Sequence, residues 1–210
     1  MPIALKDIRT IAELFKDNVL RSAKEPRFPA NASLLNRVSL LQGDITKLEV
    51  DAIVNAANHS LLGGYGVDGA IHHAAGSELR EECRTLNGCD TGDAKITKGY
   101  NLPSKHVIHT VGPVYQSSYA ELKAQQLASC YRISLQLAVK NSLKHIAFPS
   151  ISTGVYGYPI GNATHVALKE VRNFLDSEDG LKLDRVIFVV WSDDDKRVYE
   201  NLIPQYFPLE

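Results

Sequence analysis

Hydrophobic and polar positions along this chain follow two different periods. Residues 3–21 carry Leu5, Ile8, Ala12, Phe15 and Val19 at spacings of three and four, the stripe of one amphipathic helix. Pro26 and Pro29 break that stripe, and Ala30 to Asn36 reads as a linker. Residues 1–36 are therefore expected to be an N-terminal helical extension packed onto the body formed by residues 37–210. From Arg37 onward, strand and helix patterns alternate. Val38–Gln42, Ala52–Val54, Ala94–Lys98, Val107–Val111, His145–Phe148 and Arg185–Trp191 read as strands. Val67–Ala75, Glu78–Leu86, Leu122–Val139, Ala163–Leu175 and Asp195–Leu202 read as helices, with Gly76 and Gly88 as stops. The longest of them sets Leu127, Cys130, Tyr131, Ser134, Leu137 and Ala138 along one face. Val186 to Val190 is apolar throughout, which suits a strand covered on both sides. These patterns predict a three-layer α/β/α domain with ligands at the carboxyl ends of its strands.

Composition narrows the class. A chain of 210 residues suits one domain, and 44 % hydrophobic with 22 % charged residues excludes a disordered chain, a collagen-like repeat and a disulfide mini-protein. With 23 basic against 24 acidic residues the net charge is −1, so no phosphate ligand is held by bulk charge. The longest apolar run, Val186 to Trp191, is far short of the roughly twenty residues a membrane helix needs. No signal-peptide pattern opens the chain, and a cytoplasmic or nuclear location is expected. Cys83, Cys89 and Cys130 lack C-x-x-C spacing and read as reduced thiols. The histidines form no H-E-x-x-H or H-x-x-x-H pair, so no metal site is expected.

Two loops are far richer in glycine and small polar residues than a connector requires. One runs from Asn55 to Gly69 and the other from Pro149 to Pro159, each between a strand and a helix. Glycines let the backbone approach a ligand closely, and helix N-termini offer unpaired N–H groups to phosphate. Two such loops facing one another would hold a diphosphate without lysine or arginine; the bland alternative is a pair of tight turns. Gly64 to Gly69 spells G-x-G-x-x-G, but the stretch Asn55–Gly63 separates it from the preceding strand, so a Rossmann dehydrogenase is disfavoured. The second loop lacks the Gly-Lys-Ser/Thr of an ATPase or kinase.

Leu41-Gln42-Gly43-Asp44-Ile45-Thr46, Val54 to Asn58, Gly66 to His72 and Ser150 to Pro159 together resemble the macrodomain family, specifically its MacroD-type branch of ADP-ribosyl hydrolases. Lys95 to Thr97 and Val107 to Pro113 resemble it too, so the likeness spans about Val38 to Pro208. It implies a macrodomain fold with a mixed, largely parallel central sheet. It also implies removal of mono-ADP-ribose from acidic side chains and deacetylation of O-acetyl-ADP-ribose, with no cofactor. Implied partners are ADP-ribose, mono-ADP-ribosylated proteins and ADP-ribosylated nucleic acid ends, met by a monomer away from membranes. A reader module that binds ADP-ribose without turning it over is the alternative.

Residue by residue, the resemblance implies that Asp44 and the backbone of Ile45 read adenine, with Trp191 against the same ring. Asn58 would orient the distal ribose and Asp68 would be the catalytic carboxylate. Gly63, Gly64, Tyr65, Gly66 and Val67 would cover the distal ribose and one phosphate. Ser152, Thr153, Gly154 and Val155 would give N–H groups to the diphosphate, with Tyr156 over the ribose. Each has a plainer reading beside it. Asp68 could only meet a helix dipole or cap a first turn, and Asp44 could only form an Asx-turn before Thr46. Trp191 could be core, and His72 a packed or solvent-facing helix residue. Tyr65 departs from the family's usual glycine: its ring would lid the ribose, crowd the water or point into solvent, and a left-handed backbone there would strain it.

Overall fold

A computed structural model of the chain describes residues 1–209. The residues before the main body do not form one helix. Ile3–Ala4 is a short strand (β1), Leu5–Asp7 a single 3-10 turn, and only Ile11–Lys16 is α-helical (α1). Thr10 starts that helix afresh: its hydroxyl accepts from Glu13 N at 3.2 Å while Glu13 Oε2 accepts from Thr10 N at 2.7 Å, a capping box. Thr10 also bridges Ser39, which draws the preceding residues out of helical geometry. Of the expected stripe only Ile8 and Phe15 are buried, Leu5 and Ala12 are half-buried and Val19 is exposed, while Ile11, Leu14 and Leu20 supply the rest of the buried face. The expected linker holds a turn of helix, Ala32–Leu35 (α2), whose Leu34 and Leu35 are buried.

The remaining elements follow in order: β2 Val38–Gln42, β3 Leu48–Glu49, β4 Ala52–Ala57, α3 Gly66–Ala75, α4 Ser77–Thr85, β5 Ala94–Lys98, β6 His106–Val111, α5 Ala120–Lys140, β7 His145–Phe148, α6 Ile160–Leu175, β8 Arg185–Val190 and α7 Asp193–Tyr206. The main sheet has the order β2-β8-β7-β4-β6-β5, parallel throughout except for β5. β1 pairs with β3 in a separate small sheet. β4 runs on to Ala57, past the predicted end at Val54, because β6 pairs with it from Ala52↔His106 to Ala57↔Val111. β8 ends at Val190, leaving Trp191 beyond the sheet. On α5, Leu135 is buried where Leu137 was expected, and Leu137 is only half-buried.

Successive strand residues feed opposite faces. Val54, Ile108, Ile146, Phe148, Val186 and Phe188 pack with α5, α6 and α7, and with the N-terminal Ile11 and Leu14. Ile53, Val107, Ala147, Ile187 and Val189 pack against Ile71 of α3 and Leu79 and Cys83 of α4. This is the expected three-layer arrangement, with β8 inside the sheet and apolar toward both layers. Among the described residues, no helix is long and apolar enough to cross a membrane.

Candidate functional site

Because β2, β4, β6, β7 and β8 are parallel, their carboxyl ends share one edge, and the chain leaves each strand into one cleft of ≈ 940 Å³. Gly43 and Asp44 follow β2, Asn58 follows β4, Gly112 follows β6, Pro149 follows β7 and Trp191 follows β8. Every residue for which the sequence suggested a site role lines this cleft: Asp44, Ile45, Asn58, Gly63 to Asp68, Ser152 to Tyr156 and Trp191. No lysine or arginine lines it. Negative groups of a ligand would therefore meet main-chain N–H dipoles rather than fixed cations.

The Pro149–Pro159 loop is built for that. Gly157 N and Tyr158 N close it by donating to Gly154 O and Ser152 O, both at 2.9 Å, and Tyr115 N donates to Tyr156 O at 2.8 Å. Among the described residues, the N–H groups of Thr153, Gly154 and Val155 take no acceptor. Ser152 sits at φ 66°, a left-handed conformation that turns the chain toward the cleft. Opposite, α3 begins at Gly66 with no side-chain cap, so its first N–H groups also face outward.

Asp68 is 3 % exposed and makes no cap. Its Oδ1 accepts from Asn55 Nδ2 at 2.7 Å and stands 3.5 Å from His72 Nε2. The helix-cap explanation of Asp68 is thus overturned: the carboxylate faces inward, toward the end of β4. Burial pushes its pKa above the usual carboxylate value, against the opposing pull of the Asn55 donor and of His72. Burial likewise lowers the pKa of His72. The other oxygen lies beside Gly64, where an added Cβ would come 2.9 Å from Asp68 Oδ2 and 3.1 Å from Asn58 Nδ2. Only glycine lets the loop close this tightly over the two groups.

Asp44 does form the Asx-turn, with Oδ1 accepting from Thr46 N at 2.9 Å and Thr46 Oγ1 at 2.7 Å. That uses one oxygen, and the residue still borders the cleft. Trp191 is not core, being 76 % exposed at the cleft rim. Its main chain is tethered by Gln42 Nε2, which donates to Trp191 O at 3.3 Å and Asp193 Oδ1 at 2.7 Å. Tyr65 is 91 % exposed at φ −106° and ψ 172°, so its ring neither covers nor crowds the site and its backbone is unstrained. The left-handed position is its neighbour Gly66, at φ 62°.

Asn55, His72, His109 and Gly112 were not assigned roles from the sequence. Asn55 and His109 carried a readable signal, being polar residues inside the apolar strands β4 and β6. His72, Cys83 and His109 also bring ligand-type atoms within 4.8 Å of one another. Burial holds the Cys83 thiol protonated, its pKa pushed up to about 11, and His109 Nε2 is already engaged by Thr97 Oγ1 at 2.9 Å. His109 Nε2 is thus engaged in a hydrogen bond, while neither ring nitrogen of His72 has a hydrogen-bond partner among the described residues.

Comparison with known proteins agrees with this architecture. The Macro domain family profile matches residues 54–167. The chain is 50 % identical over 207 residues to the ADP-ribose glycohydrolase MACROD1 of Rattus norvegicus, covering 99 % of this chain and 80 % of that protein. The macro domain of ganglioside induced differentiation associated protein 2 superposes with a TM-score of 0.90 at 37 % identity, over 100 % of this chain and 98 % of that one. The Trypanosoma brucei macrodomain in complex with ADP-ribose superposes with a TM-score of 0.81 at 42 % identity, over 96 % and 77 %. With its cleft at the strand ends, its two N–H-rich loops and this degree of likeness, the chain belongs to the macro domain family.

Proposed function

We propose that this protein is a hydrolase that binds ADP-ribose, releases mono-ADP-ribose from acidic side chains, and deacetylates O-acetyl-ADP-ribose. The observation that carries the reading is the buried Asp68 carboxylate, held by Asn55 and turned toward the glycine loop rather than capping its own helix. Asp44 and Ile45 would read the adenine edge, with Trp191 against its face. The free N–H groups of the second loop and of the α3 start would take the diphosphate. The distal ribose then lies near Gly64, between Asn58 and Asp68. There Asp68 Oδ2 takes a proton from water as the water oxygen bonds to the ester carbon, the bond from that carbon to the ribose oxygen breaks, and Asp68 returns the proton to the departing ribose oxygen. Positioning and one carboxylate suffice for so activated a bond, which fits a site with no required cofactor.

The buried free thiols Cys83, Cys89 and Cys130 fit a reducing compartment, the cytosol or nucleus. Partners on this reading are mono-ADP-ribosylated proteins, with ADP-ribosylated nucleic acid ends as a second class, met by a monomer. The deciding experiment incubates the protein with a peptide mono-ADP-ribosylated on glutamate and measures released ADP-ribose, beside calorimetry with free ADP-ribose. Release together with one-to-one binding near −8 kcal/mol, about micromolar, supports the proposal. Binding without release makes the protein a reader, and no binding removes the assignment altogether.

A further inference from the structure

Beneath Asp68 runs a chain of wholly buried polar groups that touches no part of the cleft. Asn55 Nδ2 donates one hydrogen to Asp68 Oδ1 at 2.7 Å and faces His109 Nδ1 at 3.1 Å with the other. His109 Nε2 lies 2.9 Å from Thr97 Oγ1, which in turn faces Lys98 O at 3.1 Å and Val107 O at 3.5 Å. Asn55 and His109 are 0 % exposed and Thr97 is 2 % exposed, so the three are cut off from bulk solvent.

The proton positions along this chain follow by elimination. The ionised Asp68 carboxylate only accepts, so Asn55 turns its amide nitrogen to Asp68 Oδ1 and to His109 Nδ1, and Nδ1 must accept. The neutral ring then carries its proton on Nε2, donated to Thr97 Oγ1 at 2.9 Å in preference to the weaker sulfur acceptor Cys83 Sγ at 3.7 Å, and the Thr97 proton goes to a carbonyl. A neutral imidazole that carries its proton on Nε2 presents a lone pair at Nδ1. Burial keeps the ring neutral, its pKa brought down to about 3. That lone pair meets the same amide nitrogen that faces Asp68. A flipped Asn55 would set its oxygen against a carboxylate and a lone pair together. Asn55 Oδ1 meanwhile has no partner, so nothing on the other side of the amide competes for its orientation.

We infer that His109 is a positioning residue for Asp68, acting through Asn55, and that Thr97 decides which His109 nitrogen carries the proton. The inference rests on the hydrolase reading above for its effect on turnover, but not for its proton placement. Thr97→Val keeps the shape and removes the oxygen acceptor for Nε2–H, leaving only the weak sulfur acceptor Cys83 Sγ at 3.7 Å. It frees the other tautomer, whose Nδ1–H repels the Asn55 amide hydrogens and costs Asp68 its donor.

The test combines kinetics with nitrogen-15 NMR of labelled histidine. In the parent protein His109 should carry its proton on Nε2, with Nδ1 bare. Thr97→Val should lower kcat about tenfold, with KM and free ADP-ribose affinity within about twofold. Its acid limb should move to higher pH, since a lost donor raises the carboxyl pKa. Thr97→Ser, which keeps the hydroxyl, should restore both. A parent protein protonated on Nδ1, or a Thr97→Val variant with unchanged kcat and pH profile, overturns the inference. Should Thr97→Val not fold, the parent tautomer decides. Should the parent hydrolyse nothing, the hydrolase reading fails separately, and the tautomer with the Asp68 titration in Thr97→Val, followed by carbon-13 NMR, still decides this one.

Discussion

The side chain of Asn58 grips Ser60 twice, its Oδ1 accepting from the Ser60 main-chain N–H at 3.0 Å and from the Ser60 hydroxyl at 2.6 Å. Its Nδ2 donates to Gly63 O at 3.0 Å. Three of the four hydrogen-bonding positions of this amide are thus spent on its own loop, leaving one N–H for a ribose hydroxyl. Asn58→Ala should therefore loosen the loop as well as remove a contact. Affinity for free ADP-ribose and turnover should fall together, by about 1–2 kcal/mol each. Calorimetry showing full affinity beside reduced turnover would mean that Asn58 serves chemistry alone.

Asp68→Ala should behave differently, losing about 10²–10⁴-fold in hydrolysis while still binding ADP-ribose. Its stability also carries a sign. Burial raises the folded-state pKa of Asp68, so its favourable contribution is complete below the unfolded value near 4 and is lost as pH rises through the folded value. The melting temperature of Asp68→Ala should thus gain on the parent as pH rises from about 4. A carboxylate that merely met the helix dipole would have a lowered pKa and give the opposite trend. Melting curves across that range separate the two.

The layers and most strands were legible because a parallel sheet covered on both faces imposes apolar runs, as in Val186 to Val190. The cleft was legible because its lining is concentrated in two loops whose glycines and small polar residues have no structural need to be there. What could not be read was pairing across distance. The stripe in residues 3–21 has helical period, yet the Thr10 capping box and the Thr10–Ser39 bridge divide it. Trp191 could not be separated from core until β8 was seen to end one residue earlier. His109 showed itself only as a polar residue in an apolar strand, and its place beneath Asn55 depends on the β4–β6 register Asn55↔His109.

Tyr65→Gly should leave single-turnover hydrolysis within about twofold, because the ring is 91 % exposed and does not occupy the space over Asp68. Of the three placements open from the sequence, the ring pointing into solvent is the one observed, so a glycine has no crowding to relieve. The glycine should instead cost about 0.5–1 kcal/mol of stability through added freedom in the unfolded chain. A rate increase of tenfold or more would show that the ring folds inward when substrate is bound.

Arg172 ties the two ends of the chain to α6. It is 2 % exposed and donates to Asp176 Oδ2 at 2.6 Å, Tyr206 O at 2.6 Å and Pro29 O at 2.8 Å. Its guanidinium also lies over Phe28, 5.0 Å from the ring centroid. Arg172→Ala strands two carbonyls and should cost about 2–4 kcal/mol in urea unfolding. Arg172→Lys should recover only part of this, since one ammonium does not reproduce a planar fork. A loss below about 0.5 kcal/mol in either variant would mean that water replaces these bonds.

Trp191 is the single tryptophan of the chain, which makes it a reporter of its own contact. It stands 76 % exposed on the cleft rim, with its main-chain carbonyl held by Gln42, so a base can reach its face without displacing any core residue. Stacking of one base on an aromatic contributes about 1–3 kcal/mol. Trp191→Ala should therefore weaken free ADP-ribose binding roughly tenfold, Trp191→Phe should weaken it less, and neither should shift the melting temperature appreciably. In the parent protein, saturating ADP-ribose should change the intrinsic fluorescence, whereas ribose 5-phosphate, which lacks the base, should not. If calorimetry records ADP-ribose binding while the fluorescence stays flat, the adenine does not sit against this ring, and Asp44 and Ile45 must hold it without an aromatic partner.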